Sequence, residues 1–262
     1  INENFEVYSL DNNFNSSNKV VDGVTYIDGP TSKIHELVNF EIDTVFHLGE
    51  YSRVESSFDD LEYVHEFNVV GTFEVIKYCS SNSVKLIYAG SSTKFGDNGT
   101  NKDASPYAWS KYRNIELIKN FSNWYNLKYC IVYFYNSYGK EDLDTKYKTL
   151  IAIYKQKYIN DEPMPVVLPG NQLRNFTHIN DIVEGLYIVG ENGDGDGYGI
   201  GSDKAYSVID IATMFSDKIT YLSERKGNRL TSSLETSKTK NLGWQPIMDL
   251  PKYIENFKEN FK

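Results

Sequence analysis

Two neighbouring stretches decide the fold: residues 85–91, Lys85-Leu-Ile-Tyr-Ala-Gly-Ser91, and residues 106–111, Pro106-Tyr-Ala-Trp-Ser-Lys111. Lys85–Ala89 is a short apolar run without polar alternation, the pattern of a strand covered on both faces. Gly90-Ser91 breaks it. Pro106 suits the first turn of a helix, and 106–125 continues as a long helical stretch rich in aromatic residues. The same unit recurs on either side. Thr44–Leu48 (TVFHL) is a buried-strand run, Leu61–Ser80 carries Val64, Phe67, Val70, Phe73 and Ile76 at helical intervals, and Cys130–Phe134 (CIVYF) is again a strand. Nearer the N-terminus, Phe5–Leu10 reads as a strand ending at Asp11, Val24–Ile27 as another, and Ser32–Phe40 has helical spacing. Apolar strands alternating with amphipathic helices predict an α/β fold with a doubly wound parallel sheet.

Composition narrows the function classes. The 262 residues include 27 basic and 36 acidic side chains, a net charge of −9, with 40% hydrophobic and 15% aromatic residues. These are values of a folded globular chain. A pI near 5.0 argues against nucleic acid as a partner, while a few Arg residues can still bind an anionic small molecule locally. Cys79 and Cys130 are too few for a disulfide framework or a zinc cluster, and His35, His47, His65 and His178 show no metal-ligand spacing, so no metal is expected. No apolar run reaches the roughly 18 residues of a membrane span. The first residues, INENFEVYSLDNN, lack the basic start of a signal peptide. A reduced, cytoplasmic, soluble protein without a membrane partner is the expectation.

After Asn136 the rhythm changes. Residues 137–171 hold a helix at about 147–159 and a Pro-rich stretch, Pro163-Met-Pro-Val-Val-Leu-Pro169-Gly170. Asn180–Val189 and Ser207–Phe215 are helical, Tyr198–Gly201 is a short strand, and Leu250–Asn260 is an amphipathic helix. The second half reads as a smaller α/β lobe interleaved with the first.

Three features carry chemistry. Asp11 ends a strand, and an acid in that position of a dinucleotide-binding βαβ unit bonds ribose hydroxyls; Asp also ends strands simply because it favours turns. Tyr107 and Lys111 lie four apart, on one face of a helix. An ammonium there favours the phenolate, so that a Tyr can act as acid or base near neutral pH. With 21 Tyr and 22 Lys, chance supplies about two such pairs, so context must carry the argument. That context is Ser91, a hydroxyl at the carboxyl end of a strand, where open α/β sheets bind their ligands.

The set Asp11, His47-Leu48, Asn68-Val-Val-Gly71-Thr72, Ala89-Gly-Ser91-Ser92, Tyr107-x-x-x-Lys111, Tyr135-Asn136-Ser-Tyr138-Gly139, Gln172-Leu-Arg174-Asn-Phe176-Thr-His178 and Arg225-x-Gly-Asn228 resembles the extended short-chain dehydrogenases/reductases, and among them the NAD-dependent nucleotide-sugar epimerases and dehydratases of the UDP-glucose 4-epimerase kind. The resemblance covers almost the whole chain. It implies a Rossmann-like domain over 1–136 plus about 172–203 and a nucleotide-sugar-binding lobe over about 137–171 plus 204–262. It implies Tyr107 as acid/base, Lys111 on the nicotinamide ribose, and Ser91 on the substrate hydroxyl. Asp11, Asp28, Leu48 and Asn68 would line the NAD site. Asn136, Val167, Arg174 and Arg225 would hold the sugar nucleotide, the two Arg on its diphosphate. It also implies a homodimer through the helices at 61–80 and 107–125.

The departures are informative. The family's first strand and glycine-rich loop should precede Asp11 by about 20 residues; ten residues precede it here and none is Gly. The expectation is an N-terminally incomplete version of a longer enzyme, the alternative a lineage that lost NAD binding. Gly49-Glu50 follows His47-Leu48 where two small residues are usual, and Glu50 puts a carboxylate near the expected cofactor channel, against tight NAD packing. Tyr133 stands where the family often has Arg. Ser92 and Thr93 replace the acidic pair of the 4,6-dehydratases, which favours epimerisation or simple reduction over elimination; 4-epimerisation of a UDP-hexose is the leading expectation. An ADP- or GDP-sugar epimerase, a nucleotide-sugar reductase and a non-catalytic nucleotide-sugar-binding protein are the other readings. Asp11 disfavours NADPH, since a carboxylate repels a 2′-phosphate.

Overall fold

A computed structural model describes residues 5–14, 20–91, 102–134, 136–140, 148–223 and 235–261. They form a mixed α/β structure whose largest sheet is parallel and has four strands. The chain divides into two compact units, residues 1–89 with 103–130 and residues 90–102 with 131–262.

In the first unit, β1 (Val7–Asp11) and β2 (Val24–Asp28) run parallel, with Asp11 opposite Asp28. Both carboxylates therefore stand at the carboxyl ends of adjacent strands. The helix expected over 32–40 is shorter: a 3-10 turn at Thr31–Lys33 leads into α1 (Ile34–Leu37), which ends where Val38 turns extended. Phe40 instead packs on Tyr8, ring centroids 4.3 Å apart. β3 (Thr44–His47) and β4 (Lys85–Ala89) are parallel neighbours within the four-stranded sheet, His47 opposite Tyr88. Among the described residues, β1 and β2 form a separate two-stranded sheet.

Between β3 and β4 the expected single helix is three segments: α2 (Leu61–Tyr63), a π-helical stretch (Val64–Gly71) and α3 (Thr72–Ser81). The wider π turns bring Gly71 so close to Thr31 that a Cβ there would lie 2.3 Å from the Thr31 hydroxyl. They also carry Asn68 fully inside. α4 (Pro106–Tyr125) begins at Ser105, whose hydroxyl accepts from the Ala108 N–H at 3.1 Å, and ends at Asn126, left-handed at φ 58°. Its buried side chains include Ala108, Ile115 and Ile118, as an amphipathic helix requires, but also Ser110, Lys111 and Asn114. Polar groups on the core side of a helix need partners there, and these three lead to the site.

The second unit holds β5 (Tyr129–Phe134) from residue 131 onward, β6 (Ser137–Tyr138), α5 (Leu150–Ile159), β7 (Met164–Val167), β8 (Leu173–Asn175), β9 (Thr177–His178) and α6 (Ile179–Asn192). There follow β10 (Gly195–Ile200), β11 (Ala205–Ser207), α7 (Val208–Phe215), β12 (Ile219–Leu222), α8 (Ser237–Lys240) and α9 (Leu250–Glu259). β7 pairs with β12 and β6 with β9, both parallel; β8 pairs with β11 antiparallel. One core gathers Ile151, Tyr154, Val166, Ile211, Phe215 and Ile254. Tyr133, fully buried, lies against Gly90 and donates to Asp196 at 2.6 Å. A side chain on Gly90 would meet that ring at 2.6 Å, so glycine is required there.

Candidate active site

The polar face of α4 converges on Glu50, in the loop after β3. The Glu50 side chain is 1% exposed and that of Lys111 6%. The Lys111 ammonium is ion-paired to Glu50 Oε2 and donates to the Ala89 carbonyl, the last of β4, at 2.6 Å. It also lies 4.9 Å from the centre of the Tyr88 ring. The other carboxylate oxygen, Glu50 Oε1, accepts from Thr72 Oγ1 at 2.8 Å, Asn114 Nδ2 at 2.9 Å and Tyr88 Oη at 3.0 Å. Every neighbour offers a hydrogen, so an ionised carboxylate is the species that satisfies them all.

The loop is itself clamped. Asn68 Oδ1 accepts from the Tyr51 N–H at 2.7 Å, and Asn68 Nδ2 donates to the Tyr51 carbonyl and to Ser110 Oγ, each at 3.0 Å. Asn114 Nδ2 donates to the Asn68 carbonyl at 2.6 Å, tying the π segment to α4. Behind Thr72 sits His47, its Nε2 2.8 Å from Thr72 Oγ1. Thr72 has one hydroxyl hydrogen and directs it to Glu50, so His47 Nε2 carries the hydrogen in that contact. Burial, with a smaller push from Lys111 against the pull of Glu50, lowers the His47 pKa to about 4. The ring is neutral across the physiological range. Burial and the Glu50 charge push Tyr88 well above the usual phenol range, so it remains a donor.

The positions singled out in the sequence distribute as follows. Tyr107 and Lys111 lie one turn apart on α4, Tyr107 half-buried. Asp11 and Asp28 are exposed at their strand ends, and Asn13 spans them: its N–H reaches Asp11 Oδ1 at 2.8 Å and its Nδ2 reaches Asp28 Oδ1 at 2.9 Å. Leu48 is exposed just past β3. Asn68 is buried and its amide is engaged in the clamp. In the second unit, Ser91 is buried just beyond β4. Asn136 Nδ2 donates to the Asn175 carbonyl at 2.9 Å, beside Arg174 on β8, and Arg174 Nη1 donates to the Leu173 carbonyl at 2.7 Å. Val167 ends β7, and its carbonyl accepts from Gln172 Nε2 at 3.1 Å. Arg225, like Ser92, Thr93 and Tyr135, lies outside the described residues. The roles of Thr72, Tyr88 and Asn114 escaped the sequence reading. Asn114 and Lys111 share the buried face of α4 at a three-residue spacing, a signal that was available. Thr72 and Tyr88 lie in stretches the sequence singled out, but nothing local ties either to Glu50.

A parallel four-stranded sheet, a parallel strand pair that ends in two acids and a Tyr/Lys pair on the helix after β4 point to a dinucleotide-dependent class. The chain belongs to the NAD dependent epimerase/dehydratase family, whose sequence model matches residues 1–201. Its cofactor is NAD. A provisionally named UDP-glucose 4-epimerase from Methanocaldococcus jannaschii is 26% identical over 97% of this chain and 90% of its own length. Of the solved structures, the Thermotoga maritima UDP-glucose 4-epimerase with UDP-glucose superposes with a TM-score of 0.86 at 21% identity, over 99% of this chain and 93% of its own. A dTDP-glucose 4,6-dehydratase from Streptomyces venezuelae with NAD bound gives 0.85 at 20%, over 97% and 88%.

The residues fit NAD at both ends of such a molecule. Two exposed carboxylates at adjacent strand tips suit the hydroxyls and amine of an adenosine. An ammonium has three N–H groups; among the described residues, Glu50 and Ala89 take two of those on Lys111, which leaves one for a ribose hydroxyl. Glu50, expected near the cofactor channel, is buried and ion-paired to Lys111.

Proposed function

We propose that this chain is an NAD-dependent nucleotide-sugar epimerase that inverts C4 of a UDP-hexose through a transient keto-sugar. The observation that carries the reading is the Tyr107–Lys111 pair on α4, with the Lys111 ammonium anchored at the tip of β4 by the Ala89 carbonyl at 2.6 Å. The names of the Methanocaldococcus relative and the Thermotoga structure support 4-epimerisation and UDP. In this reading residues 1–136 plus about 172–203 serve the cofactor, and about 137–171 plus 204–262 serve the sugar nucleotide.

Bound NAD supplies a reversible hydride acceptor. Asp11 and Asp28 hold the adenosine end, and Leu48 lies along the channel. Lys111 holds a ribose hydroxyl with its third N–H and favours the Tyr107 phenolate. Tyr107 takes the proton of the C4 hydroxyl as that carbon is oxidised, with Ser91 donating to the same oxygen. Asn136, Val167, Arg174 and Arg225 keep the nucleotide bound while the ketone turns over. Tyr107 then returns the proton with C4 inverted. The exposed aromatic group of Phe73, Trp124 and Tyr125, with Phe121 among them, fits a homodimer contact.

The test is turnover of a UDP-, ADP- and GDP-sugar panel by the parent and by Tyr107→Phe. Loss of a positioned acid/base costs about 10²- to 10⁴-fold, while UDP binding by calorimetry should be unchanged. Full turnover by the Phe variant, or no interconversion of any panel sugar by the parent, refutes the reading.

A further inference from the structure

Lys155 has no part in the roles above, and its place on α5 is unusual. It is buried, one helical turn from the fully buried Ile151. A lysine head on the core side of a helix costs stability unless it is hydrogen-bonded there, and an apolar side chain would fill the space without that cost. What Lys155 reaches therefore shows its use. Its Nζ donates to the Gly139 carbonyl at 2.6 Å and to Tyr253 Oη, on α9, at 2.5 Å. Tyr253 Oη in turn donates to the same Gly139 carbonyl. The rings of Tyr253 and Phe257 flank the nitrogen, their centres 4.7 and 5.5 Å from it, within the reach of a cation–π contact.

A carbonyl oxygen has two lone pairs, and Gly139 gives both to donors from two different helices. Its Cα is closed in by a third: a Cβ on Gly139 would lie 2.6 Å from Ile179 Cγ2, at the start of α6. Gly139 is thus fixed by α5, α6 and α9 together. It is the residue that leaves β6, and Asn136 is the residue that enters it. Asn136 is exposed, its carbonyl accepting from the Thr177 N–H at 3.3 Å and its Nδ2 donating to the Asn175 carbonyl at 2.9 Å. β6 is only Ser137 and Tyr138, paired with two residues of β9. So short a ladder holds its strand weakly, and a shift at Gly139 carries through to Asn136. Resting on the reading of Asn136 as a contact of the sugar nucleotide, we infer that Lys155 is a positioning residue that fixes Gly139 and so sets where Asn136 meets the nucleotide.

The test is calorimetric titration of the full chain with UDP and, separately, with NAD. Lys155→Met keeps much of the side chain's length and removes the donor. UDP binding should weaken about tenfold, the worth of one charge-assisted hydrogen bond, while NAD binding stays as in the parent. Tyr253→Phe keeps the ring and removes one hydroxyl, so UDP binding should weaken about threefold; this variant decides the matter if Lys155→Met does not fold. A double-mutant cycle separates positioning from a general loosening of the fold. If Lys155 acts through Asn136, the double variant Lys155→Met/Asn136→Ala should bind UDP about as weakly as Asn136→Ala alone, because the second loss has nothing left to remove. Additive losses overturn the inference, as does a fall in NAD affinity by the same factor as UDP affinity. The two readings fail separately. If the parent binds UDP and the folded Lys155→Met variant binds it as tightly, the role given to Lys155 is wrong and the proposed function stands. If the parent binds no UDP, Asn136 has no such nucleotide to meet and both readings fall.

Discussion

The first unit handles acidic side chains in two opposite ways. Asp11 and Asp28 stand exposed at the tips of β1 and β2, bridged by Asn13. Glu50 lies inside, with three neutral donors and an ion pair. An exposed carboxylate is solvated with or without its neighbours, so it is free to serve a ligand. A buried one must be satisfied by the protein or the fold suffers. The difference separates acids that wait for something from acids that hold something.

The largest effect should come from breaking the inner arrangement outright. Glu50→Ala leaves the Lys111 ammonium buried without its counter-charge and takes an acceptor from Thr72, Tyr88 and Asn114. Removing one partner of a buried pair costs about 3–5 kcal/mol. Urea unfolding at neutral pH should show a loss of that size. A loss under about 1 kcal/mol would mean that the pair is solvated and that inner and outer acids do not differ in kind.

The next effect belongs to His47, which donates into the same cluster. Its pKa is about 4 in the fold, against about 6.5 in an unfolded chain. Because the folded value is the lower one, the unfolded state binds the proton first. The stabilising contribution of the neutral ring is complete above pH 6.5 and is lost as pH falls toward 4. The full span is about 3 kcal/mol. Unfolding midpoints measured at pH 7.5 and 4.5 should therefore diverge more in the parent than in His47→Gln, which keeps a donor toward Thr72 and cannot titrate. Equal divergence in both proteins would remove His47 from the account.

The same contrast explains what the sequence made legible. Strands β3, β4 and β5 and helix α4 were readable because uninterrupted apolar runs and a capped amphipathic pattern are local properties. Asp11, Tyr107 and Lys111 were readable because their spacing and strand-end positions are local too. The π segment was not: Val64, Phe67, Val70 and Phe73 fit a helical period, and the wider turn goes with a close approach of Gly71 to Thr31 across 40 residues. The short strands β8 and β9 have too few residues to show a period. Glu50 stood out in the sequence as a carboxylate where small residues are expected, but its partners were not legible there. Whether an acid after β3 faces a ligand or the core is decided by Thr72, Tyr88, Asn114 and Lys111, which come 22, 38, 64 and 61 residues later.

The smallest effect on the fold should come from the outer acids, and it sharpens the contrast most. Asp11→Ala removes an exposed carboxylate whose described contact is the Asn13 N–H at 2.8 Å. Surface substitutions of this kind change stability by less than about 0.5 kcal/mol. Yet charge-assisted hydrogen bonds to a ribose are worth about 1.5–3 kcal/mol, so NAD affinity should fall about 10- to 100-fold while the unfolding curve stays in place. Calorimetric titration with NAD and urea unfolding of the same preparation make the two measurements together. If stability falls and affinity does not, Asp11 is a structural strand end like many others, and the cofactor's adenosine is held elsewhere. If affinity falls alone, one unit uses carboxylates for opposite ends: outward ones that a ligand completes, and an inward one that the protein has already completed.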